Sequence, residues 1–207
     1  MRHIVPHRWA LVALATLLVE LAGWPVPTGA QISIGTLGSQ VTTVLAGTGS
    51  LGGTPGALDA SALTGEISGS LTGEVLHAAT IGDTNQVDSD ASIANPALVI
   101  AGTTIEADLV MAEATSVVGT AGTGSAAIVN LTINGVPIAV TGAPNQTIPI
   151  LGGQVVIAEV VQSSPTGIVV NALHITVPGA ADVIIGSATA DASTVTGQAS
   201  AVQATGL

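Results

Sequence analysis

The longest clean alternation of apolar and polar positions runs from Gly167 to Ala190. As a strand, Val169, Asn171, Leu173, Ile175 and Val177 point one way, and Ile168, Val170, Ala172, His174 and Thr176 the other. The run is rich in β-branched residues and stops at Pro178-Gly179, a turn signal, before a second strand over Asp182–Ala190. Upstream, Ile128–Ile133 and Val136–Val140 flank Asn134-Gly135, the two-residue signature of a tight hairpin. That turn sets Ile133 against Val136, Leu131 against Ile138 and Val129 against Val140, all on one face. Pro137 then requires an edge strand or a ladder position that needs no donor.

Shorter β-runs fill the rest. Leu98–Ala101 and Thr104–Ala112 have strand character. In the second, Ile105, Ala107 and Leu109 alternate with Glu106, Asp108 and Val110. Pro144–Ile150 and Gln154–Gln162 are split by Gly152-Gly153, and Ser163–Gly167 is a turn. Leu63-Thr64-Gly65-Glu66 recurs as Leu71-Thr72-Gly73-Glu74; two copies are too few for a solenoid and predict a hairpin. The pattern predicts an all-β fold: an antiparallel β-sandwich or β-roll of about eight to twelve short strands, preceded by a signal-peptide helix.

Four segments are expected. Residues 1–30 read as a secretory leader: basic Arg2, His3, His7 and Arg8, an apolar run over Trp9–Leu21, helix-breaking Pro25 and Pro27, and small residues at Thr28-Gly29-Ala30. A retained anchor is the alternative, but the apolar run falls short of the roughly 20 residues that span a bilayer. Residues 31–56 read as a Gly/Thr/Ser-rich linker with one or two short strands. Residues 57–190 form the β-rich domain, with a sub-region break at 119–125, and residues 191–207 a flexible tail.

Composition sharpens this picture. Both basic residues lie within the first eight positions and both tryptophans within the first twenty-four, and there is no Cys, Phe or Tyr. Beyond Gln31 the chain carries no cation except histidine, within a net charge of −11. Such a chain cannot neutralise phosphates, so nucleic acid is not an expected partner, and it offers no basic patch to anionic lipid. With no cysteine, disulfides, thiol chemistry and a lipidated cysteine after the leader drop out. Only 7% of residues are charged, too few for a disordered chain, and the abundant aliphatics can build a core.

The order of the later segments resembles a known family. VNLTINGVPIAVTGAPNQTIPI, an apolar strand with Glu159, then VNALHITV and DVIIGSA, together with Ser89–Ala94, are similar to the bacterial choice-of-anchor P family. The likeness covers Asp59–Ala190 and is densest at Asn134-Gly135, Pro144–Thr147 and Asn171–His174. It implies an exported, often surface-displayed β-rich domain whose biochemical role is poorly defined. The chain departs from the family in having no LPxTG-like motif, no hydrophobic tail followed by basic residues and no cysteines, which weakens covalent anchoring and strengthens release or self-assembly.

Candidate chemistry is sparse. Asp83, Asn85, Asp88 and Asp90 can offer oxygens to Ca²⁺, but their spacing is not that of an EF-hand loop, and a solvated acidic turn is the simpler reading. Glu106 and Asp108 share a strand face and can be read as a glycosidase pair. No aromatic lies beyond Trp24 to stack a sugar, so solvent-facing carboxylates are the plainer choice. His77 and His174 lack cysteine companions, which favours hydrogen-bonded strand histidines over a metal site or base. Asn171 is expected to tie down a backbone group inside the fold. No G-x-S-x-G elbow is present; Gly122-Thr123-Gly124-Ser125 does not fit. The expected protein is therefore a non-enzymatic secreted or cell-surface structural protein without a cofactor, a homo-oligomer or cell-envelope component. A calcium-assisted surface binding module or adhesin is the alternative, and a hydrolase a distant third.

Overall fold

The computed structural model describes residues 35–37 and 40–207; the leader expected over 1–30 lies outside them. Alternating aliphatic runs interrupted by Gly, Asn and Ser turns produce strands throughout. In order these are β1 (Gly35–Leu37), β2 (Gln40–Ser50), β3 (Gly56–Ile67), β4 (Leu71–Gly82), β5 (Gln86–Ile100), β6 (Thr103–Glu106), β7 (Leu109–Val117) and β8 (Thr123–Val129). They continue as β9 (Thr132–Ile133), β10 (Val136–Pro137), β11 (Gln146–Ile150), β12 (Gly153–Gln162), β13 (Ile168–Val177), β14 (Ala181–Asp191) and β15 (Thr196–Thr205). The all-β, antiparallel reading holds, but there are more strands than expected and several are long, up to 15 residues in β5.

The strands form two facing sheets, a β-sandwich. The first has the order β1-β2-β15-β14-β13-β12-β11. The second runs β10-β9-β6-β5-β4-β3, with β7 beside β5 and β8 beside β7. Across the interior β15 lies over β4 and β5, β14 over β5 and β7, and β13 over β7 and β8. Leu71, Leu76, Ile93, Leu98, Ile157, Leu173, Ile175 and Ile185 are the bulk of an entirely aliphatic core. Where the sheets come closest only small residues fit. Ala78, Ala91 and Ala199 meet there, and a Cβ on Gly197 would lie 2.7 Å from both Thr80 Cγ2 and Val87 Cγ1. Hydroxyls tie one sheet to the other's backbone. Ser89 Oγ donates to the Thr189 carbonyl at 2.7 Å, and Ser116 Oγ donates to the Thr166 carbonyl at 2.7 Å while accepting from Ala192 N–H at 2.8 Å.

This topology corrects the expected boundaries. Residues 191–207 are not a flexible tail: β15 is an interior strand between β14 and β2, with Ala199, Ala201, Val202 and Ala204 buried. Its small side chains imitate a linker because the sheets close tightly over it. Within the proposed linker, Gln40–Ser50 is likewise the 11-residue strand β2, paired with β15. The break at 119–125 falls within and just after the β7–β8 turn, inside one sheet. The chain passes between sheets farther on, between β10 and β11. The repeated LTGE segments do form a hairpin, with Gly65 opposite Gly73.

The Asn134-Gly135 hairpin has the expected register at Ile133–Val136 and Thr132–Pro137, with both turn residues at positive φ and Pro137 on the edge strand β10. Ile138 N–H donates to the Leu131 carbonyl at 2.8 Å. The pairing stops there. Asn130 adopts φ +53 and diverts the chain, so Val129 pairs with Leu109 in β7 rather than with Val140. Nor do the six residues share a buried face: Leu131 and Ile133 are buried, Val129 and Val136 exposed.

Each sheet is creased across its strands, which no uniform alternation describes. In β13 the inward residues are Ile168, Val170 and Ala172, then Leu173, Ile175 and Val177. The same one-residue slip occurs in β14, where Ala181, Val183 and Ile185 give way to Ala188 and Ala190. The registers align Ala46, Ala201, Gly186, Ala172 and Ala158 in one row across the sheet. Alternate members of that row, Ala46 (φ 47), Gly186 (φ 70) and Ala158 (φ 52), are left-handed. The opposite sheet slips at Val75 (φ 46), Asn95 (φ 48), Asp108 and Asn130 (φ 53). A left-handed residue lets a strand exchange its faces without leaving its ladder, as in a β-bulge. Thus Val110, expected to face out with Asp108, is fully buried, because the slip falls at Asp108.

Candidate functional site

The crease assembles the richest polar cluster, on the outer face of the first sheet. Uniform alternation separates Asn171 from His174. The slip at Ala172–Leu173 puts both on the outer face, three residues apart, around Glu159 of β12. Glu159 Oε2 accepts from Asn171 Nδ2 at 2.6 Å and lies 2.8 Å from His174 Nδ1. His174 Nε2 is 3.1 Å from Asp182 Oδ1 on β14. Asn171 Oδ1 accepts from Ser187 Oγ at 2.8 Å, so Asn171 ties side chains together rather than the backbone group expected. Glu159, Asn171, Ser187 and Ser200 are directly cross-strand neighbours, one step from the crease. Asn171, Ser187 and Ser200 border a hollow of about 260 Å³, with Gln198 and Gln203 among its other lining residues. Ser200 Oγ is buried without a hydrogen-bond partner among the described residues.

The second sheet repeats the motif. His77 on β4 stands between Asp59 of β3, 3.1 Å from Nε2, and Asp90 of β5, 3.2 Å from Nδ1. Each histidine thus bridges carboxylates on both neighbouring strands, and both ring nitrogens are engaged. An imidazolium has a donor for each carboxylate; a neutral ring has one. These are the hydrogen-bonded strand histidines expected, and they fasten three strands together at the surface.

The proposed calcium ligands are drawn apart. Only Asp83 and Asn85 lie in the β4–β5 turn, because β5 already begins at Gln86. Asp83 Oδ1 accepts from the backbone N–H of Asn85 and Gln86, at 2.6 and 2.9 Å, which closes the turn. Asp88 accepts from Thr115 Oγ1 and Gln86 Nε2, and Asp90 faces His77. Among the described residues no group of three His, Cys, Asp or Glu side chains is disposed to hold a metal ion. Glu106 is an exposed residue at the end of β6, and Asp108 accepts from Asn130 Nδ2 at 2.6 Å.

Two features escaped the sequence reading. One is a carboxylate clasp at one end of the sandwich. Asp191 accepts from Ser164 Oγ (2.8 Å), Thr166 Oγ1 (2.8 Å), Ser193 Oγ (2.7 Å) and Ser193 N–H (3.0 Å), joining the β12–β13 and β14–β15 turns. Burial pushes its carboxyl up, but these hydrogen bonds outweigh it and leave the group below the ordinary aspartate range. The other is the outer edge of β3. Its 12 residues pair only with β4 among the described residues, in one unbroken register, without proline or lysine. Its composition was legible, but its position at an edge was not. Compared with known proteins, the chain matches no family model, no curated protein and no solved structure.

Proposed function

We propose that the chain is a non-enzymatic structural protein of the cell surface or the secreted fraction, which assembles with itself through exposed strand edges. The observation that carries this reading is β3. A long edge strand presents a row of unpaired N–H and C=O groups, and soluble monomers blunt such edges with proline, lysine, bulges or a covering segment. Among the described residues β3 pairs with β4 alone, and its 12 residues include no proline or lysine and two carboxylates, Asp59 and Glu66. The polar clusters fit a structural role too, since Glu159, His174, His77 and Asp191 are spent on joining strands and turns. The leader pattern of residues 1–30 and the resemblance to exported choice-of-anchor proteins support the compartment.

The test is the mass of protein expressed from the full-length sequence, purified from the culture medium or cell surface and measured by light scattering in EDTA and in calcium. Assemblies in both buffers, from a chain whose N-terminus is Gln31, support the proposal. A monomer in both refutes self-assembly, and a leader retained in the cytoplasm refutes the compartment. Assembly only with calcium would transfer the function to the binding-module alternative.

A further inference from the structure

We infer that the hollow on the outer face of the first sheet is a binding site for one neutral sugar ring. The crease makes the hollow. In a regular strand outward side chains recur every second residue, about 7 Å apart. Where a strand exchanges faces, two successive residues turn inward and the interval becomes three residues, about 10 Å. In β15 the inward pair is Ala201 and Val202, so Ser200 and Gln203 follow one another on the outer face. In β14 Ile185 and Gly186 separate Ile184 from Ser187 in the same way. The register sets these gaps side by side, with Ser187 against Ser200 and Ile184 against Gln203. The gap they leave is the hollow of about 260 Å³.

The polar groups around it are not used up by the fold. Ser200 is 1% exposed, and its Oγ has no hydrogen-bond partner among the described residues. A buried hydroxyl left unpaired is costly, so a position that keeps one calls for a reason. Among the described residues the Gln203 amide and the Thr189 hydroxyl, also in the lining, have no partner either. Gln198 uses only its carbonyl, to accept from Ser50 Oγ, which leaves its amide N–H groups to face the hollow's rim.

Chemistry narrows the ligand. The lining carries no formal charge. It has no cation to hold a phosphate or carboxylate, and Glu159, next to Asn171 in the cross-strand row, is spent on Asn171 and His174. Its hydroxyls and amides offer donors and acceptors together, as a polyol requires. Val169 and Ile184 add aliphatic surface for the C–H groups of a ring. Pockets for drug-sized molecules run to roughly 300–1,000 Å³. This smaller one suits a single ring, and its place on the outer face lets a longer glycan continue into solvent. Without an aromatic platform, hydrogen bonds and aliphatic contact hold the ring, so one ring binds at about millimolar strength. The site uses the face of the sheet and not its edges, so it is independent of how the chain assembles.

Saturation-transfer-difference NMR on protein expressed from the full-length sequence tests this, with methyl α-glucopyranoside and N-acetylglucosamine as the probes. The method reads monomers and assemblies alike. Ring-proton signals should rise to a plateau over the millimolar range with at least one of the two sugars. Ser200→Ala and Gln203→Ala should each raise the dissociation constant roughly fivefold or more, the worth of one hydrogen bond. Both should keep the native melting temperature in sugar-free buffer, since neither removes a bond that the fold makes. Leu151→Glu, at an apolar residue 74% exposed on another part of the surface, should leave binding unchanged. No plateau with either sugar in the native protein would overturn the inference, and so would binding that both variants retain. A clear fall in the melting temperature of sugar-free Ser200→Ala would give the hydroxyl to an ordered water of the fold and overturn it as well.

Discussion

Replacing Gly186 by alanine tests whether the crease is a built feature of the sheet. Gly186 has φ +70, where an L side chain costs about 1–2 kcal/mol. The added Cβ would lie 3.2 Å from Ala172 Cβ and 3.4 Å from Val110 Cγ1. Both neighbours are fully buried and have to give by a few tenths of an ångström. Overpacking of this kind adds about 1 kcal/mol, and the methyl itself regains about 0.8 kcal/mol by burial. The expected loss is about 1–2 kcal/mol. The reverse changes on the same row provide internal controls. Ala158 has φ 52, so Ala158→Gly relieves the left-handed cost while losing one buried methyl, and should come out within about 1 kcal/mol of native. Ala172 lies on the row at an ordinary φ, so Ala172→Gly loses the methyl and adds glycine's chain entropy, a cost of about 1.5 kcal/mol. Urea denaturation, compared at unchanged m-value, reads all three. If Gly186→Ala is neutral, or the two alanine-to-glycine changes cost the same, the strands do not switch faces as described.

The other polar and boundary assignments have their own tests. Glu159→Ala strips a partner from both Asn171 and His174 and should cost about 1–3 kcal/mol, whereas Glu106→Gln, at an exposed strand end, should fall within about 0.5 kcal/mol of native; equal effects in urea would refute the distinction. Asp191, held below the ordinary aspartate range, stabilises the fold above that range, and the contribution is lost as pH falls through the lowered value. The melting-temperature gap between native protein and Asp191→Asn should therefore be widest near neutrality and close in acid; a gap that widens in acid contradicts the clasp. A chain ending at Asp191 lacks β15, exposes the edges of β2 and β14, and should give the collapsed amide spectrum of an unfolded protein. Dispersed peaks would restore the tail to a dispensable role.

Much of the fold could be read from the chain because turn chemistry and alternation agree there. Asn134-Gly135 specified its own register, Pro137 marked an edge, and Pro178-Gly179 ended a strand where the pattern said it should. The crease was hidden because periodicity was carried through it. Yet its traces were present: Asn95, Asn130 and Asn145 all adopt the left-handed conformation that asparagine tolerates, and the alternation changes phase beside Asn95. The strand β15 was missed for a different reason. Interior strands under a close sheet-to-sheet approach need alanine, serine and glycine, and those residues look like a tail when nothing indicates what lies above them. The polar cluster was half legible. Glu159, Asn171 and His174 stood out singly, but only the face switch brings them together. The Asp83–Asp90 group shows the converse, since closeness in sequence did not make the side chains converge.

Self-assembly through strand edges is the central claim, and sedimentation velocity of the protein expressed from its full-length sequence, in EDTA over a hundredfold concentration range, tests it most directly. The account predicts a boundary that moves to faster species as concentration rises. A single monomeric species at every concentration would contradict it.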